Sequence, residues 1–460
     1  MKNNAHEKDI STNRANTTLF KAPGGDQQRI SQFKRTNAIP TTKKQAETLR
    51  KVNRANLIAY KNIQTPKCYI CKGNNRDLLV NILKKLNFVE SDVITGDVDF
   101  RWVGSISNLL NKDLDWGDLI NHIIGESTFT TNIQLPETIP ETFMLDSKRD
   151  RDKLASISTN QDFWITKPAN GSRGVGINLI TSKEELLNLI KTAEEDNVKK
   201  FFFKPQQRIV QRYLTNTLLI NGRKFDIRAY MIIASTTPLL VLHHPGYARL
   251  SLNKYSNVDR NIVTHLTNQC IQMKESNYEY EKESTAWSME QLNEYINLNV
   301  QKNKNLPVDW TLKVLPKIQR QILMRVIESV RSRLTRKVGC FGLYGVDFII
   351  DETFHVWLLE INLGPALITN TRVLKEVIPP VLENCIRVAI ECYDKTLCGV
   401  DLLPLSMQSD LQIVYSEKYD RKFSFDQYSL SGAVHSKKRR QRALSLQRLQ
   451  LSEQVTAPKL

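Results

Sequence analysis

The sequence predicts a mixed fold of helices and strands, α/β or α+β in class, on three observations. From Asp162 onward, short apolar strands broken by glycine alternate with helical segments. Ile318, Ile322, Val326, Val330 and Leu334 then recur every four residues beside Leu323 and Ile327, the mark of a long amphipathic helix from Pro316 to about Lys337. Finally, 345–350 and 355–362 read as two strands joined by the turn Asp351-Glu-Thr-Phe354.

The other elements follow in order. Residues 1–65 are rich in Asn, Thr, Lys and Gln with few large apolar side chains, so they form a mostly disordered arm. Compact structure begins near Lys67, where 68–71 read as a strand and 78–86, with apolar residues at 78, 79, 82, 83 and 86, as an amphipathic helix. This first domain runs over 66–145. Ile177 to Ile180 is a further strand, and Ser182 and Glu185 stand at capping-box spacing before a helix. One face of the long helix carries Arg320, Arg325, Arg331 and Arg333, either as a solvated face or as a dock for an acidic partner. Residues 401–460 lose periodicity and form a mostly disordered tail, with a basic run from Lys437 to Arg442.

A chain of 460 residues with 41% hydrophobic content can bury a sizeable core. No stretch approaches the roughly 20 apolar residues of a membrane span, and Met1 to Ile10 is polar, so a soluble cytosolic or nuclear chain is expected. Seven cysteines, odd in number and thinly spread, read as free thiols. Cys68 and Cys71 form a CxxC, but no second pair or matched histidines follow at zinc-ligand spacing. Lys plus Arg exceed Asp plus Glu by 65 to 48, a formal charge of +17, which favours an acidic partner: nucleic acid, an anionic membrane surface or an acidic protein.

Three segments carry chemistry. Lys167 to Ile177 holds glycines at 171, 174 and 176 and Arg173 between two strands, where a hairpin loop can bring backbone N–H groups to phosphate oxygens. It is neither a Walker loop nor a convincing dinucleotide fingerprint, and a plain β-hairpin has the same composition. In Gly222 to Tyr230 the extended chain puts Lys224, Asp226 and Arg228 on one face and Phe225 and Ile227 in the core. Such charges either pair with one another or meet ligands. In the hairpin, if Ile350 faces His355, Asp347 lies opposite Leu358 with Glu360 its diagonal neighbour, roughly 7 to 8 Å away between backbones. Asn362 points the same way, and two carboxylates with an amide oxygen suit Mg²⁺.

In that order the three segments resemble the ATP-grasp enzymes, and Gly222–Tyr230, His265–Gln272 and Asp347–Asn362 resemble the tubulin-tyrosine-ligase-like family over roughly 66–400. Gly246–Ser251, Thr285–Glu290, and Pro365–Leu367 followed by Val373–Pro380 are most similar to its polyglycylase branch. The resemblance implies an α+β ATP-grasp fold: the small N-terminal domain, a central domain over 146–240 and a C-terminal domain over 241–400, around an ATP cleft.

It also implies roles. Lys167 and Lys224 would hold ATP phosphates, with Arg173 and Gly174 in the phosphate loop. Gln211, Arg212, Tyr213 and Leu214 would read adenine, Asp226 would meet the ribose side, and Thr267 and Asn268 would line the pocket. Asp347, Glu360 and Asn362 would hold one or two Mg²⁺. Arg228 and Arg249 would meet substrate carboxylates, acting with Glu360 in catalysis. The implied reaction joins glycine to glutamate side chains, or to growing glycine chains, on acidic C-terminal tails of tubulin through an acyl phosphate. A glutamylating ligase or a silent microtubule-binding scaffold are the alternatives. Cytoplasm, cytoskeleton and cilium are the implied locations, and neither a membrane nor nucleic acid is an expected partner. Leu363-Gly364 departs from the branch, which usually has a small or polar residue followed by asparagine beside the amino-acid site.

Overall fold

The computed structural model describes residues 65–418 except 74, 96–97, 106–117, 132–134, 136, 160–161, 170–173, 199–206 and 407–409. The expected arm over 1–64 and the basic run from Lys437 lie outside the described residues. All described residues other than 397–399 belong to one compact unit.

Three sheets organise that unit. The first is parallel, with β1 (Lys67–Ile70), β2 (Val89–Glu90), β3 (Phe100–Trp102) and β4 (Leu119–Ile120) in the order β2-β1-β3-β4. Helix α1 (Arg76–Lys85) crosses from β1 to β2 and buries Leu79, Val80, Ile82 and Leu83, as the apolar spacing predicts. The second sheet is antiparallel: β5 (Thr142–Met144), β6 (Trp164–Pro168), β7 (Asn178–Ile180) and β8 (Arg208–Arg212) in the order β5-β8-β6-β7. Helices α2 (Lys148–Ile157) and α3 (Lys183–Val198) cover it, packing Leu154, Leu186 and Ile190 on Phe143, Trp164 and Val210. At the start of α3 the Glu185 N–H donates to Ser182 Oγ at 3.1 Å, while the Glu185 carboxylate accepts from the Thr181 N–H at 3.0 Å, one residue earlier than a standard capping box.

The third sheet holds β9 (Leu219–Ile220), β10 (Arg223–Thr236), β11 (Leu239–Lys254), β12 (Ala286–Trp287), β13 (Gly342–Ile350), β14 (Val356–Asn362) and β15 (Gln412–Ser416). The path is β12-β11-β10-β13-β14, with β9 on β10 and β15 on β11. Strand β10 alternates between two cores. Phe225, Ile227, Ala229, Met231 and Ile233 pack toward α4 (Met289–Asn299) and α5 (Leu315–Val330), while Tyr230, Ile232 and Ala234 pack toward α6 (Arg372–Leu397). Lys224, Asp226 and Arg228 lie on the second face, beyond the end of its apolar core.

Two expectations need correction. The last sixty residues are not uniformly without structure, because β15 pairs with β11 and buries Val414 and Tyr415. The long helix stops at Val330 and not near Lys337, because the chain turns so that the Thr335 N–H reaches the Ile124 carbonyl at 2.9 Å; Leu334 stays buried. Of the arginine row expected on that helix, Arg331 and Arg333 fall past its end, and all four have partners within the chain: Arg325 with Glu137 at 3.7 Å, Arg331 with the Tyr415 hydroxyl, Arg333 with the Ser329 carbonyl, and Arg320 with the Pro316 carbonyl. No helix among the described residues is long and apolar enough to cross a membrane.

Two β-bulges decide which side chains share a face. Between β10 and β11, Tyr230 faces His244 but Arg228 faces Tyr247, so Pro245 and Gly246 together oppose Ala229. Between β13 and β14, Phe348 faces Leu358 but Asp347 faces Glu360, so Leu359 is the extra residue. Gly246 sits at φ +75°, and a Cβ there would stand 1.7 Å from the Arg228 carbonyl oxygen. Gly246→Ala should therefore destabilise by roughly 3 kcal/mol or more, read from the urea midpoint, because both conformation and space oppose the methyl.

Candidate active site

A cleft enclosing about 680 Å³, partly open to solvent, lies between β6 and β8 of the second sheet and β10, β13 and β14 of the third. Ile165, Ile177, Leu266, Ile349 and Leu359 supply its apolar walls. Lys167, Lys224, Asp226, Asp347 and Glu360 supply its charges, and Gln211, Arg212, Tyr213, Leu214, Thr267 and Asn268 complete the lining among the expected residues.

Lys167 reaches the cleft from β6, a strand whose alternation buries Trp164, Thr166 and Pro168 and leaves Lys167 partly exposed. Its Nζ lies 3.2 Å from Glu360 Oε2 and 3.4 Å from the Leu359 carbonyl, which the bulge turns toward it. Lys224 is buried, donates to Tyr213 Oη at 2.7 Å, and sits 3.9 Å from the centre of that ring. Burial pushes its pKa down to about 7 against the opposing pull of Asp226.

Behind the lysines lies a buried network of two carboxylates and two guanidinium groups. Arg228 binds Asp347 through Nε–Oδ1 at 2.5 Å and Nη2–Oδ2 at 3.1 Å. Arg249 binds Asp226 through Nε–Oδ1 at 2.7 Å and Nη2–Oδ2 at 2.5 Å, and also reaches Asp347 Oδ2 at 2.8 Å. Thr267 donates to Asp226 Oδ2 at 2.6 Å. Burial alone would raise the Asp347 pKa, yet Arg228 and Arg249 hold it well below the usual carboxylate range. The same pairing keeps Arg249 well above its ordinary value in spite of burial.

The metal-type residues converge as the sequence predicts, by a different register. Ile350 faces Val356, not His355, and the bulge at Leu359 sets Glu360 directly opposite Asp347 rather than diagonal to it. In regular pairing from Leu358, Glu360 would stand opposite Val346 and point into the core. Asn362 Nδ2 lies 3.4 Å from Asp347 Oδ2 and 3.3 Å from Glu360 Oε1. Turning that amide presents its oxygen at the same point, so three oxygen donors of the kind Mg²⁺ accepts can meet there. Among the described residues no group of three or more His, Cys, Asp or Glu side chains is placed to hold a metal, so the candidate set depends on the amide. All seven cysteines are free, Cys68 and Cys71 included.

Other expected residues fall elsewhere. Arg228 and Arg249 stand behind the wall of the cleft, bound to Asp347 and Asp226, and not facing it as groups for substrate carboxylates would. Gly174, at φ +74°, abuts Ile271 and does not line the cleft, and Arg173 lies outside the described residues. Gln211 is buried and donates to Thr142 Oγ1 at 3.0 Å, and Arg212 pairs with Asp162 at 2.6 Å over the Trp164 ring. Sequence reasoning gave His265 no role, although its run was singled out; it binds Tyr213 Oη through Nδ1 at 2.7 Å.

The family model described as the tubulin-tyrosine ligase family matches residues 111–396 of this chain, more than half of it and all of the third sheet but β15. The chain belongs to the tubulin-tyrosine ligase family. Among its relatives, a protein polyglycylase TTLL10 of Macaca fascicularis is 42% identical over 293 residues, 63% of this chain and 47% of the relative. A human protein named inactive polyglycylase TTLL10 is 40% identical over 293 residues, 63% of this chain and 44% of the relative. A probable alpha-tubulin polyglutamylase Ttll1 of Tetrahymena thermophila is 31% identical over 269 residues, 57% of this chain and 63% of the relative. The chain thus spans under half the length of the two polyglycylase-named relatives it matches. The aligned tubulin-tyrosine ligase region contains both bulges and every charged group of the cleft.

Removing one member of the buried network leaves an unpaired carboxylate. Arg249→Leu should lower stability by roughly 3 to 5 kcal/mol, measured by urea unfolding at pH 7. Because the Asp347 pKa is depressed from 3.8, its stabilisation is full above that value and is lost as pH falls below it, so the wild-type advantage should shrink in acid.

Proposed function

We propose that the chain is an ATP- and Mg²⁺-dependent ligase that adds glycine to glutamate side chains, or to growing glycine chains, on acidic tubulin tails. One observation carries this reading: Lys167 and Lys224 meet Asp347 and Glu360, with Asn362 beside them, at one cleft that also has apolar walls. Names of relatives at 40 to 42% identity support the glycine branch, within the limits of the aligned region.

The chemistry asks a carboxylate and a triphosphate, both anionic, to approach each other. Lys167 and Lys224 offset that repulsion in a cleft where water is partly excluded, so each charge acts more strongly than in bulk solvent. Ile165, Ile177 and Leu266 offer an apolar slot for adenine, and Leu214, two residues past the end of β8, belongs to the edge that reads it. Asp347, Glu360 and Asn362 would hold Mg²⁺, which when bound offsets charge on the β- and γ-phosphates. Arg228 and Arg249 act from behind, keeping Asp347 ionised and both Asp347 and Asp226 fixed in direction. A glutamate side chain is phosphorylated to an acyl phosphate, and the amino group of glycine displaces the phosphate to form an amide. The net charge of +17 suits capture of an acidic tail. Cytoplasm and cytoskeleton, with the cilium as one setting, are the locations that go with this substrate.

Glutamate in place of glycine is the second reading, favoured by the polyglutamylase-named relative and by Leu363-Gly364, where an added Cβ on Gly364 meets open space. Purified protein is incubated with ATP, Mg²⁺ and tubulin, offering radiolabelled glycine, glutamate and tyrosine separately. Label from glycine alone supports the proposal, label from glutamate moves it to the second reading, and no label overturns both. In the active assay Glu360→Gln should cut incorporation by roughly a hundredfold or more with little change in the unfolding midpoint, because it removes a charge and not a packing group.

A further inference from the structure

A chain of polar groups begins at the cleft, which Lys224, Tyr213 and His265 all line. Lys224 Nζ lies 2.7 Å from Tyr213 Oη, which lies 2.7 Å from His265 Nδ1, and His265 Nε2 meets the Asp259 carbonyl. Lys224, Tyr213 and His265 are all buried, and their rings pack together: Tyr213 on His265 at 5.5 Å and Tyr255 on His265 at 5.7 Å. Tyr255 also lies 5.6 Å below the Lys224 ammonium, and Asp226 is the acidic neighbour of Lys224 on its own strand.

The end of the chain fixes its direction. A backbone carbonyl only accepts, so His265 Nε2 carries a hydrogen; in the neutral ring Nδ1 is then the acceptor. Tyr213 must give its proton to Nδ1, and its oxygen is left to accept from Lys224. A second proton on His265 would reverse the tyrosine, which would then donate to the amine and favour its uncharged form. Burial lowers the His265 pKa, which keeps the ring neutral and the relay pointing in its first direction.

We propose that Tyr213 and His265 are positioning residues that aim the Lys224 amine into the cleft and hold it in the charged form that polyanion binding requires. Its use for phosphate rests on the nucleotide reading of the cleft; the relay does not. Burial works against the lysine charge; Asp226 opposes it by its own charge, and a correctly turned Tyr213 hydroxyl adds an acceptor in direct contact.

The test uses the full chain labelled with ε-¹³C lysine, with the Lys224 signal assigned by its loss in Lys224→Arg. Its titration midpoint is followed by NMR in wild type, Tyr213→Phe, His265→Leu and His265→Asn, and Mg²⁺-ATP binding is measured on the same samples by calorimetry. Tyr213→Phe and His265→Leu should lower the midpoint by about one pH unit, a tenfold change in proton affinity, whereas His265→Asn, whose amide oxygen replaces Nδ1 as acceptor, should restore it. If Tyr213→Phe does not fold, the leucine and asparagine variants make the same comparison. Equal midpoints in all variants overturn the relay. A shifted midpoint with no ATP bound by wild type supports the relay and overturns the nucleotide reading.

Discussion

The site depends on holding two buried carboxylates in place where water is scarce. Asp226 and Asp347 are both at least nine-tenths buried, on adjacent antiparallel strands, and each would be a costly buried polar group if left without a partner. Arg228 and Arg249 prevent this, with Arg249 touching both acids. Such a network contributes little net stability compared with apolar packing, but it fixes the direction of the Asp226 and Asp347 oxygens. In this structure the arginines act on Asp226 and Asp347, a buried pairing that the sequence resemblance, which implies contact with substrate carboxylates, does not include.

That network exists only because two strands break register. Had β11 continued in the pairing it shows at His244, Arg249 would stand opposite Phe225 and enter the core between the sheet and α5. Had β14 continued in regular pairing from Leu358, Leu359 would face Asp347 and Glu360 would stand opposite Val346 in the same core. One extra residue in each strand moves a charge to the face that holds Lys224, Asp226 and Asp347. Bulges beside reactive groups are thus part of how this sheet assigns chemistry, and Gly246 is the residue that makes one of them sterically possible.

Much of this was legible in the residues themselves. The alternation in Gly222–Tyr230 places Lys224, Asp226 and Arg228 together, and the strand pair at 345–362 brings Asp347, Glu360 and Asn362 to one face. Strand β1, α1 and the start of α3 follow from apolar period and capping chemistry. What a period-of-two reading could not supply is the position of an extra residue, since a bulge leaves the polar pattern intact while changing which pairs meet. It also could not tell a charge that faces a ligand from one that faces a neighbour: Arg249 and Lys224 look alike in a strand, and only the third dimension gives one two carboxylates and the other a tyrosine. β15 was missed because one short strand in a polar segment has too few residues to show a period.

Family membership and cleft chemistry meet at a single claim, that the two lysines and three oxygen-bearing side chains face a nucleotide. A crystal structure with Mg²⁺ and a non-hydrolysable ATP analogue tests it most directly. The account predicts the adenine between Ile165, Ile177 and Leu266, the phosphates between Lys167 and Lys224, and the metal on Asp347, Glu360 and Asn362 with Arg228 and Arg249 still paired behind them. Nucleotide bound elsewhere, or bound here with no metal contact to Glu360, would contradict it.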